Sequence, residues 1–159
     1  MATMSPTPAT RAAATASQTD LGELAARLRL AITRTARRLR QEAGTDLSPS
    51  QTAALSTIDC SGPLTPSELA ALERVQRPTA TRIVARLEEE GLVERAADPA
   101  DGRSFIVSAT SEGRALIRKL RTRKNAYLAR RLRDLDTEEV ATLARAAEIL
   151  ERLQDGERG

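Results

Sequence analysis

Two closely spaced helix-start signals constrain the fold of this chain more than any other feature. They are SPSQ at residues 48–51 and TPSE at residues 65–68. In each, the first residue suits an N-cap, the proline suits the first helical position, and the Gln or Glu can close a capping box. SGP at residues 61–63 stops the first of these helices. Two such signals this close together predict short, tightly packed helices.

The segment that follows predicts a helix that docks by one side and presents arginine and threonine on the other. Pro78 suits its first turn, and Gly91 suits its C-terminal cap. At about 100° per residue, Arg82 lies about 200° from Ala80 and therefore points away from the apolar side. That apolar side consists of Ala80, Ile83, Val84 and Leu87, and it is flanked by Thr79, Thr81 and Arg86.

Turn residues then separate two predicted strands. LVER at residues 92–95 and SFIV at residues 104–107 are typical of short strands, and DPADG at residues 98–102 has the composition of a turn. Apolar residues at helical spacing predict a long first helix from Asp20 to near Gly44, and two further helices after residue 110. A helix-turn-helix followed by a hairpin is a winged helix.

The predicted fold class is therefore mainly α, with a winged helix-turn-helix lobe in residues 47–110 whose wing sheet has two or three strands. Residues 1–19 are rich in Ala, Thr, Ser and Pro, which predicts a flexible tail. Residues 20–46 and 111–155 predict a helical dimerisation region. Its apolar stripes have no obvious cover within one chain, which predicts a homodimer with an interface above about 2,000 Å². The stripes contain Leu24, Leu28 and Ile32 in the first helix and Leu143, Leu150 and Leu153 in the last.

The composition excludes most enzymes. The 159 residues include no His and a single Cys, so Ser-His-Asp and Cys-His nucleophiles and His-ligated metal sites are excluded. We expect no catalytic residues, no metal site and no cofactor. No apolar run approaches the ~20 residues that cross a bilayer, and a lone thiol is typical of a reducing compartment. We therefore expect a cytoplasmic protein with no membrane partner.

The charges are segregated along the chain. Nine basic residues and no acid lie between Arg114 and Arg133, whereas eight acids and three arginines lie between Asp134 and Gly159. Arginine accounts for all but two of the 25 basic residues, and its guanidinium can donate in pairs to a phosphate or to a guanine edge. This pattern favours a polyanionic partner.

At these residues the sequence resembles the MarR family of bacterial winged-helix transcription regulators. The resemblance covers about residues 20–155 and is carried by PTATRIVARLEEEGLVER at residues 78–95 and DPADGRSFIVSATSEG at residues 98–113. It implies a two-fold dimer built by the first helix and the last two helices. It also implies a repressor that binds a pseudo-palindromic operator in double-stranded DNA and is released by a small amphipathic or aromatic ligand. No residue identifies the ligand site, although Arg34 or Arg38 is a candidate partner for a carboxylate.

Carried onto this chain, the resemblance implies DNA contacts by the recognition helix and the wing. In the wing, Arg103 is suited to a narrow minor groove, and Asp101 is expected to orient its guanidinium. Ala100 stands where the family often has an arginine, which predicts one contact fewer. The contacts implied for the recognition helix are Arg77, Thr79, Thr81, Arg82 and Arg86.

Two alternatives stay open beside these expectations. The same surface would suit a winged-helix protein–protein interaction module, in which the arginines meet acidic residues. Exposed Leu or aromatic residues on the helix at residues 77–91 would favour that module. Cys60 suggests an oxidation sensor, but its position near the end of the second helix favours a small buried hydrophobic residue instead.

Overall fold

The structure is a computed structural model that describes the backbone of residues 8–99 and 104–155. The chain separates into two compact units, one up to Gln41 and one from Glu42 onward. The elements are α1 (Pro8–Ala43), α2 (Pro49–Ser61), α3 (Pro66–Leu72), α4 (Arg77–Glu89), β1 (Val93–Ala97), β2 (Phe105–Ala109), α5 (Ser111–Leu132) and α6 (Thr137–Asp155). None of the helices in these described ranges is both long and apolar enough to cross a membrane.

The first helix is longer than the sequence predicted. It begins at Pro8, so residues 8–19, which were expected to be flexible, have helical backbone. Alanine is the strongest helix former, and the alanines at positions 12–14 and 16 account for this difference. The end of the helix at Ala43 agrees with the prediction. The division into dimerisation region and lobe stays a prediction.

Both predicted capping boxes are confirmed. The Ser48 hydroxyl accepts from the Gln51 backbone N–H at 3.2 Å, and the Ser48 N–H donates to the Gln51 side chain at 2.9 Å. Thr65 and Glu68 repeat the arrangement at the start of α3. The Glu68 carboxylate accepts from the Thr65 N–H and hydroxyl, both at 2.8 Å. These bonds hold the pKa of Glu68 below its usual value.

The core of the lobe is built from aliphatic side chains of α2, α3, α4, the hairpin and the first half of α5. The predicted stripe of α4 is confirmed at Ala80, Val84 and Leu87, which are each 0% exposed. Its fourth member, Ile83, is half-buried and packs against the same core. In α5 the buried apolar side chains are Ile117 and Leu120, whereas Leu132 is exposed. The largest fully buried side chains are Leu55, Ile58, Leu69, Val84, Leu87, Val107 and Leu120.

The wing is a two-stranded antiparallel sheet in which Val93 pairs with Ala109 and Ala97 pairs with Phe105. Each strand begins one residue later than the sequence predicted and ends two residues later. Leu64, between α2 and α3, pairs with Val107 through backbone hydrogen bonds of 2.8 and 3.1 Å. The third strand is therefore reduced to this isolated bridge.

A close backbone approach joins the hairpin to α5. The Thr110 hydroxyl caps α5 by accepting from the Gly113 N–H at 3.1 Å, and it donates to the Gly91 carbonyl at 2.8 Å. A Cβ atom on Gly113 would lie 2.1 Å from the Leu92 carbonyl oxygen. The first turn of α5 can therefore rest on the start of the wing only because residue 113 has no side chain.

We expect Gly113→Ala to lower the free energy of unfolding by about 1–3 kcal/mol, because the added methyl group forces the α5 backbone away from Leu92. Gly22→Ala in α1 is the matched control, since a Cβ there meets nothing within 4 Å. The control should be neutral or stabilising by up to about 1 kcal/mol, because alanine has the higher helix propensity. Urea unfolding measures both variants. Equal stability of the two would contradict the close approach.

Candidate nucleic-acid interface

The exposed face of α4 lies opposite the buried stripe, as the helical wheel predicted. Arg82 is exposed, and about 200° of helix rotation separates it from the fully buried Ala80. The helix begins with Arg77 and Pro78, which confirms the proline in the first turn. Of the side chains predicted to contact DNA, Thr79 is half-buried and Arg77, Thr81, Arg82 and Arg86 are exposed.

Two of these side chains already have partners on the same helix. The Thr81 hydroxyl donates to the Arg77 carbonyl at 3.0 Å, which leaves its oxygen available as an acceptor. Arg86 forms an ion pair with Glu89 at 2.8 Å, and the two side chains are 69% and 61% exposed. An exposed pair of this kind contributes about 0–1 kcal/mol, so a phosphate can compete for Arg86 at small cost.

Side chains outside the core hold the C-terminal end of α4. The Gln51 amide at the start of α2 donates to the Glu90 carboxylate at 3.1 Å. The Thr110 hydroxyl donates to the carbonyl of Gly91, just beyond the helix, at 2.8 Å. The orientation of the helix is thus set at both its buried stripe and its end.

Arg95 joins the wing to α4, and sequence reasoning missed it. Its guanidinium lies 2.9 Å from the Glu88 carboxylate and 4.5 Å from the centre of the Phe105 ring. Arg95 stands on β1 and Phe105 on β2, so one side chain of the first strand contacts both the second strand and the recognition helix. Phe105 is the only Phe in the chain, and an arginine partner for its ring could have been expected from the sequence. The sequence did not give the strand register that brings Arg95 beside it.

The predicted wing contact falls outside the residues that the structure describes. Arg103, its proposed orienting partner Asp101, and Ala100 all belong to residues 100–103. Their roles stay predictions.

The interpretation of Cys60 as a buried hydrophobic residue is wrong for this chain, because its side chain is exposed. The buried residues of α2 include Leu55 and Ile58. Cys60 lies about 200° around the helix from Ile58, on the opposite face. The position of Cys60 near the end of α2 misled here, since the face of the helix decides burial.

At least four of the nine basic residues between Arg114 and Arg133 have side-chain contacts within the chain. The Arg114 guanidinium donates to the Ala109 carbonyl. Arg123 donates to the Ala43 carbonyl at 2.9 Å and to the Gly44 carbonyl at 3.2 Å, where α1 ends. Arg130 and Arg131 lie 5.9 and 5.6 Å from the centre of the Tyr127 ring. These contacts weaken the sequence argument that the run as a whole meets a polyanion.

The cleft beside the start of α5 is small for a ligand site. This open cleft of about 190 Å³ lies between the end of α2, β2 and the start of α5, with Arg114 and Asp59 in its lining. Ligand pockets are usually larger, about 300–1,000 Å³. Within residues 8–99 and 104–155, His, Cys, Asp and Glu nowhere form a group of three or more that could hold a metal ion.

The chain is similar to known regulators over most of its length. Residues 47–105 match the family model described as MarR family. The chain is 39% identical to the HTH-type transcriptional regulator Mb0904 of Mycobacterium bovis, over 83% of this chain and 93% of that protein. It is 34% identical to the multiple antibiotic resistance protein MarR of Salmonella typhimurium, over 62% of this chain and 69% of that protein.

A solved structure adds a nucleic acid to the comparison. It is a cysteine-to-serine mutant of MarR from Escherichia coli complexed with operator DNA. The TM-score is 0.63 and the identity is 27%, and the likeness covers 82% of this chain and 95% of that one.

We expect Arg95→Met to loosen the wing while the lobe stays folded, because methionine keeps an apolar stem but loses both the ion pair and the cation–π contact. Together these contribute about 1 kcal/mol. Backbone amides of β1 and β2 should then exchange hydrogen faster than in the wild type. Arg145→Met removes an exposed ion pair of α6, to Glu148 at 3.1 Å, and serves as the control. Unchanged exchange in the hairpin of Arg95→Met would show that Arg95 does not hold the wing.

Proposed function

Because the chain belongs to the MarR family of transcriptional regulators, we propose that it is a dimeric repressor that binds a pseudo-palindromic operator in double-stranded DNA. The observation that carries this proposal is the face of α4. Arginine and threonine side chains are exposed on it, opposite a fully buried stripe. The likeness to a MarR complex with operator DNA supports the same reading.

The proposed roles of the residues follow from how a helix-turn-helix docks. The N-terminal half of the recognition helix lies in the major groove, and Arg82 in that half donates two hydrogen bonds to a guanine edge. Arg103 at the wing enters a minor groove, where a narrow width attracts arginine, and Asp101 orients it. The remaining contacts on α4, to bases or phosphates, are made by Arg77, Thr79, Thr81 and Arg86.

Exposed leucines support the proposed dimer. In α1, Leu24, Leu28 and Ile32 are 47%, 42% and 49% exposed. In α6, Leu143 and Leu153 are 47% and 66% exposed, and Leu150 is half-buried. Monomeric proteins seldom leave large contiguous apolar patches in water. A second copy of the chain would cover both stripes and place two recognition helices on two half-sites.

Release by a small amphipathic or aromatic ligand completes the proposed cycle. A ligand that favours one arrangement of the two lobes changes the spacing of the recognition helices and hence the affinity for DNA. The place of action is the cytoplasm, where a bacterial operator is found.

The alternative of a protein–protein interaction module gains no support from α4. Throughout this helix, which the structure describes in full, no large apolar side chain is exposed. Apolar and aromatic anchors are what a protein interface would need.

The proposed function is tested by selecting bound fragments from the host genome and measuring affinity for the selected sites. Light scattering of the free protein should give twice the 17.2 kDa of one chain. The logarithm of the binding constant should fall linearly with the logarithm of salt concentration, by about 0.9 for each phosphate neutralised. Absence of binding to duplex DNA at low salt, or a slope near zero, refutes the proposal.

Substitutions at Arg82 and Arg103 should separate two modes of readout. Arg82→Ala should cost about 1–3 kcal/mol of binding and relax preference at one base pair in each half-site, because a bidentate contact is lost. Arg103→Ala should weaken binding in proportion to the A·T content of the flanks, because groove width rather than base identity is read.

The measurement needs a library varied at each half-site base and two operators that differ only in their flanks. Arg145→Ala on α6 is the control for loss of one exposed positive charge. Identical, sequence-independent losses in Arg82→Ala and Arg103→Ala would mean that both arginines only neutralise phosphates.

A further inference from the structure

The turn between α3 and α4 contains an arginine in a conformation that favours glycine. Arg74 has φ +52°, and in the ranges 8–99 and 104–155 it is the one non-glycine residue with positive φ. A side chain with a Cβ atom is disfavoured in this left-handed region by its clash with the backbone. Arg74 thus holds backbone strain at the point where the helix-turn-helix changes direction.

The end of α4 has the same hydrogen-bond pattern as the end of α3 and can be compared with it. After α3, the Arg74 N–H donates to the Ala71 carbonyl at 3.2 Å and the Val75 N–H to the Ala70 carbonyl at 2.9 Å. After α4, the Gly91 N–H donates to the Glu88 carbonyl and the Leu92 N–H to the Leu87 carbonyl, both at 2.9 Å. Both pairs are the hydrogen bonds of a Schellman motif. The same motif therefore has glycine at one helix end and arginine at the other.

Arg74 is exposed at the turn, close in sequence to a second exposed arginine. It precedes that residue, Arg77, by three positions. The neighbouring Glu73 carboxylate is half-buried and accepts from the Thr57 hydroxyl of α2 at 2.5 Å. That acid is therefore held toward α2.

We propose that Arg74 is a phosphate contact that sets how α4 is seated in the major groove, an inference that rests on the proposed function. In a helix-turn-helix the first helix crosses the DNA backbone while the second enters the groove. The turn between them lies at the edge of the groove, beside a phosphate strand. Strain at functional positions is retained where the function needs the residue, and here arginine supplies the charge that glycine lacks.

Three substitutions at residue 74 test this proposal. Arg74→Gly should raise Tm by about 2–4 °C, because the strain is relieved, yet weaken binding to operator and to unrelated duplex DNA by the same factor. The salt slope should fall by about 0.9 for each lobe. Arg74→Asn should weaken binding in the same way without a more flexible turn, since asparagine tolerates the left-handed region. Arg74→Lys should keep the wild-type Tm and salt slope.

Gly91 provides the matched control for strain. A Cβ atom there meets nothing within 4 Å, and φ is +70°, so Gly91→Ala changes the backbone preference alone. It should lower Tm by about 2–4 °C and leave the salt slope unchanged.

The outcomes separate this inference from the proposed function. If the wild type binds with a steep salt slope and both Arg74→Gly and Arg74→Asn bind equally well, the phosphate contact is refuted and the proposed function stands. If Arg74→Gly melts below the wild type, the arginine is retained for folding and the proposal is overturned. If the wild type itself shows no salt-dependent binding to duplex DNA, the proposed function fails and the role of Arg74 fails with it.

Discussion

Burial of the α4 stripe is the constraint on which the rest of the lobe depends. Ala80, Val84 and Leu87 are each completely buried, together with Ala54 and Leu55 of α2. A helix that buries one face so fully has no rotational freedom, because a turn of even one residue would expose leucine and bury charge. The exposed arginines are therefore positioned by aliphatic packing on the far side of the helix. Alanine at two of these positions lets backbones approach closely, which suits a core with almost no aromatic residues.

Polar contacts extend this rigidity from α4 to the wing. Arg95 links the hairpin to Glu88, and the Thr110 hydroxyl links the start of α5 to the backbone after α4. The missing side chain at Gly113 allows α5 to lie against Leu92. Each contact is worth little alone, at about 1 kcal/mol. Together they join the recognition helix, the wing and α5, so that a displacement of one of these elements strains its contacts with the others.

Some arginines of this chain bind groups of the same chain, and others are exposed on α4. Their positions in the sequence do not distinguish the two groups. Arg95, Arg114 and Arg123 donate to groups of the same chain. Arg77 and Arg82 are exposed on α4. The density of positive charge is greatest in α5, whereas α4 exposes fewer positive charges on a better-defined face. A rigid, single-faced display of a few guanidinium groups favours base readout, whereas a dense run favours only general attraction.

The sequence by itself determined what depends on neighbours along the chain. Both capping boxes, the end of α1, the stripe of α4 and the resemblance to the MarR family follow from residues a few positions apart, because helix caps and helical faces are local. Only the tertiary structure decided what depends on distant segments. The exposure of Cys60, the register that sets Arg95 beside Phe105, and the choice of Ile117 as a buried residue of α5 arise from packing between elements. The strain at Arg74 has a local and a tertiary cause. The turn itself is local, but its sharpness is imposed by two helices that must pack on one core. Local rules specify which segments are helical; the burial of their apolar faces against one another specifies where each charge is presented.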